Sequence, residues 1–258
     1  MRRSAARTSA TETGRDRPIL TVESLVAGYG DGVILRSVDL AVNTGSITVL
    51  LGRNGVGKST LARCIAGTLP IRSGHIAIDG ESIHDRSPDQ IARVGLSVAP
   101  QGKRTFPSLT VSENLLIGQL TLKHRDKAGA DTSSAWSMER IMELFPILGE
   151  RMRTKASSLS GGEQQMLAIA RLMIGGPSVI VLDEPSEALS PTRVSELAEL
   201  LVALRAEGMT TLLIEQNLQF AMGLADAVRV MDHGTIVLRA DGDAIRSERD
   251  RIEALLTV

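Results

Sequence analysis

Cysteine, aromatic side chains, long apolar runs and net charge are all scarce in this 258-residue chain. The one cysteine, Cys64, excludes an intrachain disulfide framework and suits a reducing compartment. Aromatics are limited to Tyr29, Phe106, Trp136, Phe145 and Phe220, so the core must be aliphatic. No window approaches 18 consecutive apolar residues, which excludes a bilayer-spanning helix. A formal charge of -1 gives no ground for nucleic acid as the main partner. What is plentiful is apolar residues, 43%, enough for the core of one large α/β domain or one with a small insertion.

Residues 1–17, MRRSAARTSATETGRDR, lack the apolar stretch of a signal peptide, and Glu12 and Asp16 speak against a transit peptide. They are expected to form a solvated, disordered tail. From Pro18 onward strand and helix signals alternate. Val38, Leu40 and Val42 alternate with polar neighbours, as on a half-buried strand. The runs ITVLL (47–51), VIVL (179–182), TLLI (211–214) and AVRV (227–230) predict buried strands. Leu197, Leu200, Leu201 and Leu204 predict a helix over 191–207, started by Ser190 and Pro191. The middle holds the loop QGKRTFPSLT and two helical segments near 110–122 and 134–148, joined by polar KHRDKAGADTSS. It predicts a helical subdomain, about 86–158, within a mainly parallel α/β domain spanning 18–258.

The strongest chemical signal is GRNGVGKST, residues 52–60, between the strand ITVLL and an apolar-periodic helix. Gly52, Gly55 and Gly57 let the backbone wrap an anion, with Asn54 in the same loop and Thr60 opening the helix. That helix offers its N-terminus to phosphates. Lys58 supplies a charge to the β- and γ-phosphates and Ser59 a hydroxyl to Mg2+. VIVLDEP (179–185) sets Asp183 and Glu184 at the exposed end of a buried strand. There Asp183 can hold Mg2+ and Glu184 can polarise the attacking water. In LSGGEQQ (159–165), Ser160 and Glu163 have capping-box spacing for a helix over 161–174. The cap leaves Gly161 and Gly162 unexplained. Glycines in a first turn permit close approach of an anion, which suggests a second, shared nucleotide and hence a dimer.

Taken in order, GRNGVGKST, Gln101, LSGGEQQ and VIVLDEP resemble the ATP-binding subunit of an ABC transporter, over about 19–258. LSGGE lies 23 residues ahead of Asp183, counted from Ser160, which separates this family from GTPases, kinases and helicases. The resemblance implies an α/β P-loop fold with an antiparallel β part near the N-terminus and an inserted helical subdomain. It implies a head-to-tail dimer in which ATP lies between the phosphate loop of one subunit and Ser160–Glu163 of the other. Tyr29 looks like the aromatic that stacks on adenine. Gln101 looks like the glutamine that touches Mg2+ or the water and relays state to a transmembrane permease. Ser190 stands where many members have Asp, and Gln216 where the family has a histidine on the γ-phosphate. GKRTFPSLTVSENLLIG, DEPSEALSP and LLIEQN resemble, more narrowly, the smaller ATPase of branched-chain amino acid importers. Urea and short-amide importers stand close behind. The implied location is the cytoplasmic face of a membrane, peripherally bound.

Other readings stay open at this stage. A soluble ABC ATPase acting on ribosomes or DNA is one, although neither a second ATPase unit nor a long coiled coil is present. A regulatory subunit that binds ATP without turnover is another; Glu184 argues against it and the neutral Gln216 for it. Asn217 reads as the N-cap of a helix starting at Leu218, and Gln216 as a γ-phosphate donor that cannot become a cation. A histidine-bearing paralogue is then the expected dimer partner, with a homodimer as the alternative. Cys64 reads as a buried core thiol and the four His as surface or turn residues. Phe106 and Pro107 read either as a docking point for a partner's helix or as a packed loop. Lys103 and Arg104 are either solvated charges or a basic rim.

Overall fold

A computed structural model describes residues 17–102, 105–127 and 136–257, with 121–127 as backbone alone. Lys103, Arg104, the tail up to residue 16, the side chain of His124 and much of the polar joint lie outside the described residues. Two sheets carry the architecture. The first is antiparallel, in the order β2 (Gly32–Asn43), β1 (Pro18–Tyr29), β4 (Ser73–Ile78) and β5 (Glu81–Ser82). Between β2 and β4 in the chain come β3 (Ile47–Leu51) and α1 (Lys58–Ile65). The second sheet has six strands. Its order is β10 (Thr235–Asp241), β9 (Ala227–Asp232), β3, β8 (Thr210–Glu215), β7 (Val179–Asp183) and β6 (Leu96–Ala99). All its pairings are parallel except β9 with β10. The expected mainly parallel core with an antiparallel N-terminal part is the observed fold.

The runs ITVLL and VIVL sit inside β3 and β7, where every residue is buried. Strand geometry sends successive side chains to opposite faces. Accordingly Val49, Leu51, Ile180, Leu182 and Leu213 join one core, and Leu50, Val179, Val181, Leu212 and Ile214 the other. The first core is closed by α6 (Gly161–Ile174) and by Leu197, Leu201 and Leu204 of α7 (Pro191–Ala206). The second takes Leu61 and Ile65 of α1 together with Leu20, Leu25 and Val38 of the antiparallel sheet.

α2 (Pro88–Arg93) leads into β6, so the 86–158 stretch contains an edge strand of the main sheet. Helices follow from α3 (Val111–Lys127) onward. The single helix expected over 134–148 is instead two, α4 (Met138–Leu144) and α5 (Pro146–Glu150). Pro146 lacks an N–H and disfavours helical backbone at Phe145, whose φ and ψ are -128° and 64°. α8 (Leu218–Met222) follows β8, and α9 (Ala244–Ser247) and α10 (Arg249–Thr257) close the chain. Among the described residues no helix is long and apolar enough to cross a membrane. Because β3, β7 and β8 are adjacent and parallel, their C-terminal ends bring Gly52, Glu184 and Gln216 to one edge of the sheet.

Candidate nucleotide site

After β3 the chain turns at Gly52, where a Cβ would fall 2.6 Å from the carbonyl oxygen of Met231. Gly57 precedes α1 with φ 116°, a left-handed geometry open to glycine, and has no side chain to occupy the first-turn N–H groups. Arg53, Asn54 and Gly55 are exposed on the loop, while Lys58 and Thr60 are buried. The Lys58 ammonium turns back over the loop, donating to the carbonyls of Gly52 (2.7 Å) and Arg53 (3.1 Å). It also lies 3.3 Å from Glu184 Oε1.

Asp183 and Glu184 were expected at an exposed strand end, but both are buried, at 5% and 4% exposure. The α1 helix and the phosphate-loop lysine cover them. The Ser59 hydroxyl faces Asp183 Oδ1 at 3.5 Å. Burial pushes the Asp183 carboxyl above its ordinary range, the Ser59 hydroxyl opposes that, and neighbouring Glu184 adds to it. A buried carboxylate with a hydroxyl beside it is a hard-oxygen pair suited to Mg2+, which holds few protein ligands and keeps waters. Gln101 sits close by. Its Nε2 donates to Glu184 Oε2 at 2.9 Å and to Glu187 Oε2 at 3.0 Å.

The other expected residues fall around this centre. Tyr29 is exposed, and its hydroxyl accepts from Arg63 Nη1 at 2.9 Å. The Ser160–Glu163 capping box is formed: Ser160 N donates to Glu163 Oε2 at 2.7 Å and Glu163 N to Ser160 Oγ at 3.4 Å. The Ser160 N–H holds the Glu163 carboxyl below its usual range. The two glycines differ. A Cβ on Gly161 would meet open space, whereas one on Gly162 would lie 2.8 Å from Arg193 Cδ, so Gly162 makes room for a side chain of α7. Among the described residues no hydrogen bond or ion pair joins Ser160–Glu163 to Lys58, Ser59 or Asp183. Asn217 caps α8 as expected, accepting from Phe220 N at 3.2 Å, and Gln216 is exposed at the strand end. Ser190 takes the N-cap place of α7 without a side-chain bond.

Three residues went unread in the sequence. Asn114 is fully buried and laces the loop of Phe106: its Oδ1 accepts from Phe106 N, and its Nδ2 donates to the carbonyls of Phe106 and Thr110. Arg171 of α6 lies over the Phe106 ring, 4.8 Å from its centre. Glu215, the last residue of β8, is buried and accepts three backbone N–H bonds. The signal for Glu215 was an acidic residue closing an apolar run, as in VIVLDE.

Comparison with known proteins agrees with this geometry. A family model described as ABC transporter matches residues 35–187, more than half of the chain. The chain is 38% identical over 227 residues to the high-affinity branched-chain amino acid transport ATP-binding protein BraG of Pseudomonas aeruginosa, covering 88% of this chain and 94% of that one. It is 33% identical over 229 residues to the glutamate/aspartate import ATP-binding protein GltL of Escherichia coli, covering 88% and 92%. A crystal structure of an ABC transporter ATP-binding cassette in its ADP conformation superimposes with TM-score 0.79 at 28% identity, covering 94% of this chain and all of that one. With the phosphate loop, the buried carboxylates and the capped LSGGE helix on one scaffold, the chain belongs to the ABC transporter family, as an ATP-binding and ATP-hydrolysing domain.

Proposed function

We propose that this chain powers import through a separate membrane permease, with branched-chain amino acids as the transported class. The observation that carries the reading is the convergence of Lys58, Ser59, Gln101, Asp183 and Glu184 through contacts of 2.9–3.5 Å. The similarity to BraG supports the substrate class, and the similarity to GltL makes acidic amino acids an alternative. The domain spans 18–258 and its helical part lies within 86–158.

Lys58 and the N–H groups of 55–60 hold the phosphates of ATP, and Tyr29 stacks on the adenine. Ser59 and Asp183, with Gln101, would hold Mg2+, which when bound offsets the charge of the phosphates. Glu184 orients the attacking water and takes its proton. Gln216 donates its amide N–H toward the γ-phosphate. Ser160, Gly161, Gly162 and Glu163 face the nucleotide of a second ABC ATPase subunit, a histidine-bearing paralogue. Gln101 and the segment 102–118 pass closure of that dimer to the permease at the cytoplasmic face of the membrane.

Copurification of the chain with its membrane complex tests this. ATP hydrolysis by that complex, lost by about 100-fold or more in Glu184→Gln with ATP binding retained, is the expected result. Recovery only with ribosomes or nucleic acid, or undiminished hydrolysis in Glu184→Gln, would overturn it.

A further inference from the structure

The loops that carry Glu184 and Gln216 meet at one buried side chain. Glu215 is 1% exposed, and among the described residues it forms no ion pair. A carboxylate taken out of water needs hydrogen bonds in return. Glu215 receives them from two separate loops: Oε1 accepts from Ser186 N at 2.9 Å, and Oε2 from Gln216 N at 3.1 Å and Asn217 N at 3.3 Å. We infer that Glu215 is a positioning residue of the hydrolysis site, which sets Glu184 and Gln216 relative to each other through its carboxylate. The inference rests on the reading of Glu184 and Gln216 given above and deepens it.

The first arm acts on Glu184. Its backbone has φ 50°, a left-handed conformation that is costly for a side-chain-bearing residue and persists only where its surroundings hold it. Glu184 N donates to the Ile214 carbonyl at 2.9 Å. Pro185, next in the chain, has no N–H to give. Ser186 therefore offers the first donor after Glu184, and Glu215 takes it. The strained residue is thus pinned on both sides by the end of β8, with its carboxylate toward Lys58 and Gln101.

The second arm acts on Gln216. Only Gln216 and Asn217 separate β8 from α8. Glu215 holds both of their N–H groups, and the Asn217 side chain is engaged in capping α8. The short link is fixed at each end, which leaves the exposed Gln216 side chain a defined origin. Three donors converging on two oxygens require a carboxylate. A glutamine would turn one NH2 toward an N–H and lose one of the two arms.

ATPase kinetics and hydrogen exchange on the full chain in its membrane complex test the inference, using Glu215→Gln, Gln216→Ala and the double variant. In Glu215→Gln, kcat should fall about tenfold while KM for ATP stays within about twofold, because misplacement of reacting groups costs rate before affinity. Amides of 184–190 and 216–217 should exchange faster while those of β3 stay protected. The double variant should lose little more than Glu215→Gln alone. A kcat within about twofold of wild type with unchanged loop exchange would overturn the inference. So would a joint change in kcat, KM and β3 exchange, which marks general loss of structure. Hydrolysis unaffected by Gln216→Ala, beside a lowered kcat in Glu215→Gln, would remove Gln216 from the proposed function and support Glu215 acting through Glu184. Absence of hydrolysis in the wild-type complex would instead overturn the functional reading itself.

Discussion

The ammonium of Lys58 and the carboxylate of Glu184 form a buried ion pair at 3.3 Å, their side chains 3% and 6% exposed. The two partners are not equally replaceable. Lys58 also has the Gly52 and Arg53 carbonyls, which remain as acceptors if Glu184 becomes an amide. Glu184 without Lys58 is a buried carboxylate that has lost the cation 3.3 Å away and keeps the Gln101 amide. Removing one member of a buried pair typically costs about 3–5 kcal/mol when the charge left behind is poorly compensated. Lys58→Met should therefore destabilise the nucleotide-free chain by about 3 kcal/mol and Glu184→Gln by about 1 kcal/mol. Urea denaturation of both variants checks this, and equal losses would show that the pair contributes nothing beyond the loop carbonyls.

Asn114 supports a surface rather than the chemistry. Its amide ties Phe106 and Thr110 of the loop following Gln101, and Arg171 lies over the Phe106 ring. Asn114→Ala would take the acceptor from Phe106 N, while the Phe106 and Thr110 carbonyls keep the backbone donors Leu109 N and Asn114 N, a loss of about 1 kcal/mol. The expected outcome is a lower melting temperature and weaker recovery of the chain with the permease proposed above. ATP affinity should be unchanged, since among the described residues no hydrogen bond joins Asn114 to the phosphate loop. Affinity and recovery falling together would place Asn114 in the nucleotide site instead.

What was legible in the sequence was local. The Ser160–Glu163 cap, the Asn217 cap and the strand ITVLL depend on residues within a few positions of one another, and all three formed as expected. What was illegible depends on pairing across the chain. Glu184 is buried because α1 and Lys58 close over the end of β7, more than 100 residues away in sequence. Glu215 reaches Ser186 because β7 and β8 pair in parallel with Asp183 opposite Ile214. Gly162 also makes room for the Arg193 side chain of α7, a packing role that no local pattern shows. The helix break at Phe145 and Pro146 was local, and the proline there was the overlooked signal.

Burial of Glu215 predicts a pH effect with a definite sign. Desolvation raises its carboxyl above the ordinary value of 4.5, against the opposing hydrogen bonds from Ser186, Asn217 and Gln216. A carboxyl with a raised pKa binds more protons in the folded state than in the unfolded one. Its contribution to stability is then fully present below about pH 4.5 and is lost as pH rises through the folded value. Glu215→Gln cannot titrate. The stability of wild type minus that of Glu215→Gln should therefore decline as pH rises from 4.5 toward neutrality. Denaturation of the two proteins in parallel across that range reads the difference, and a flat or rising difference would contradict the burial argument.

Gln216 offers the last prediction. Its exposed side chain follows the strand whose Ile214 carbonyl accepts from Glu184 N. A neutral amide can donate one hydrogen bond to a developing phosphate charge, whereas an imidazolium adds a full charge to the same bond. Charge-assisted donors are about twice as strong, so Gln216→His should hold kcat level or raise it a few-fold. The gain should be larger near pH 6 than near pH 8, because imidazole titrates around pH 6.5. A drop in kcat of tenfold or more would show that the amide makes a contact imidazole cannot. If a paralogue with histidine completes the dimer, the gain should also be smaller in the mixed dimer than in a dimer of this chain alone. In the mixed dimer one of the two sites already holds the stronger donor.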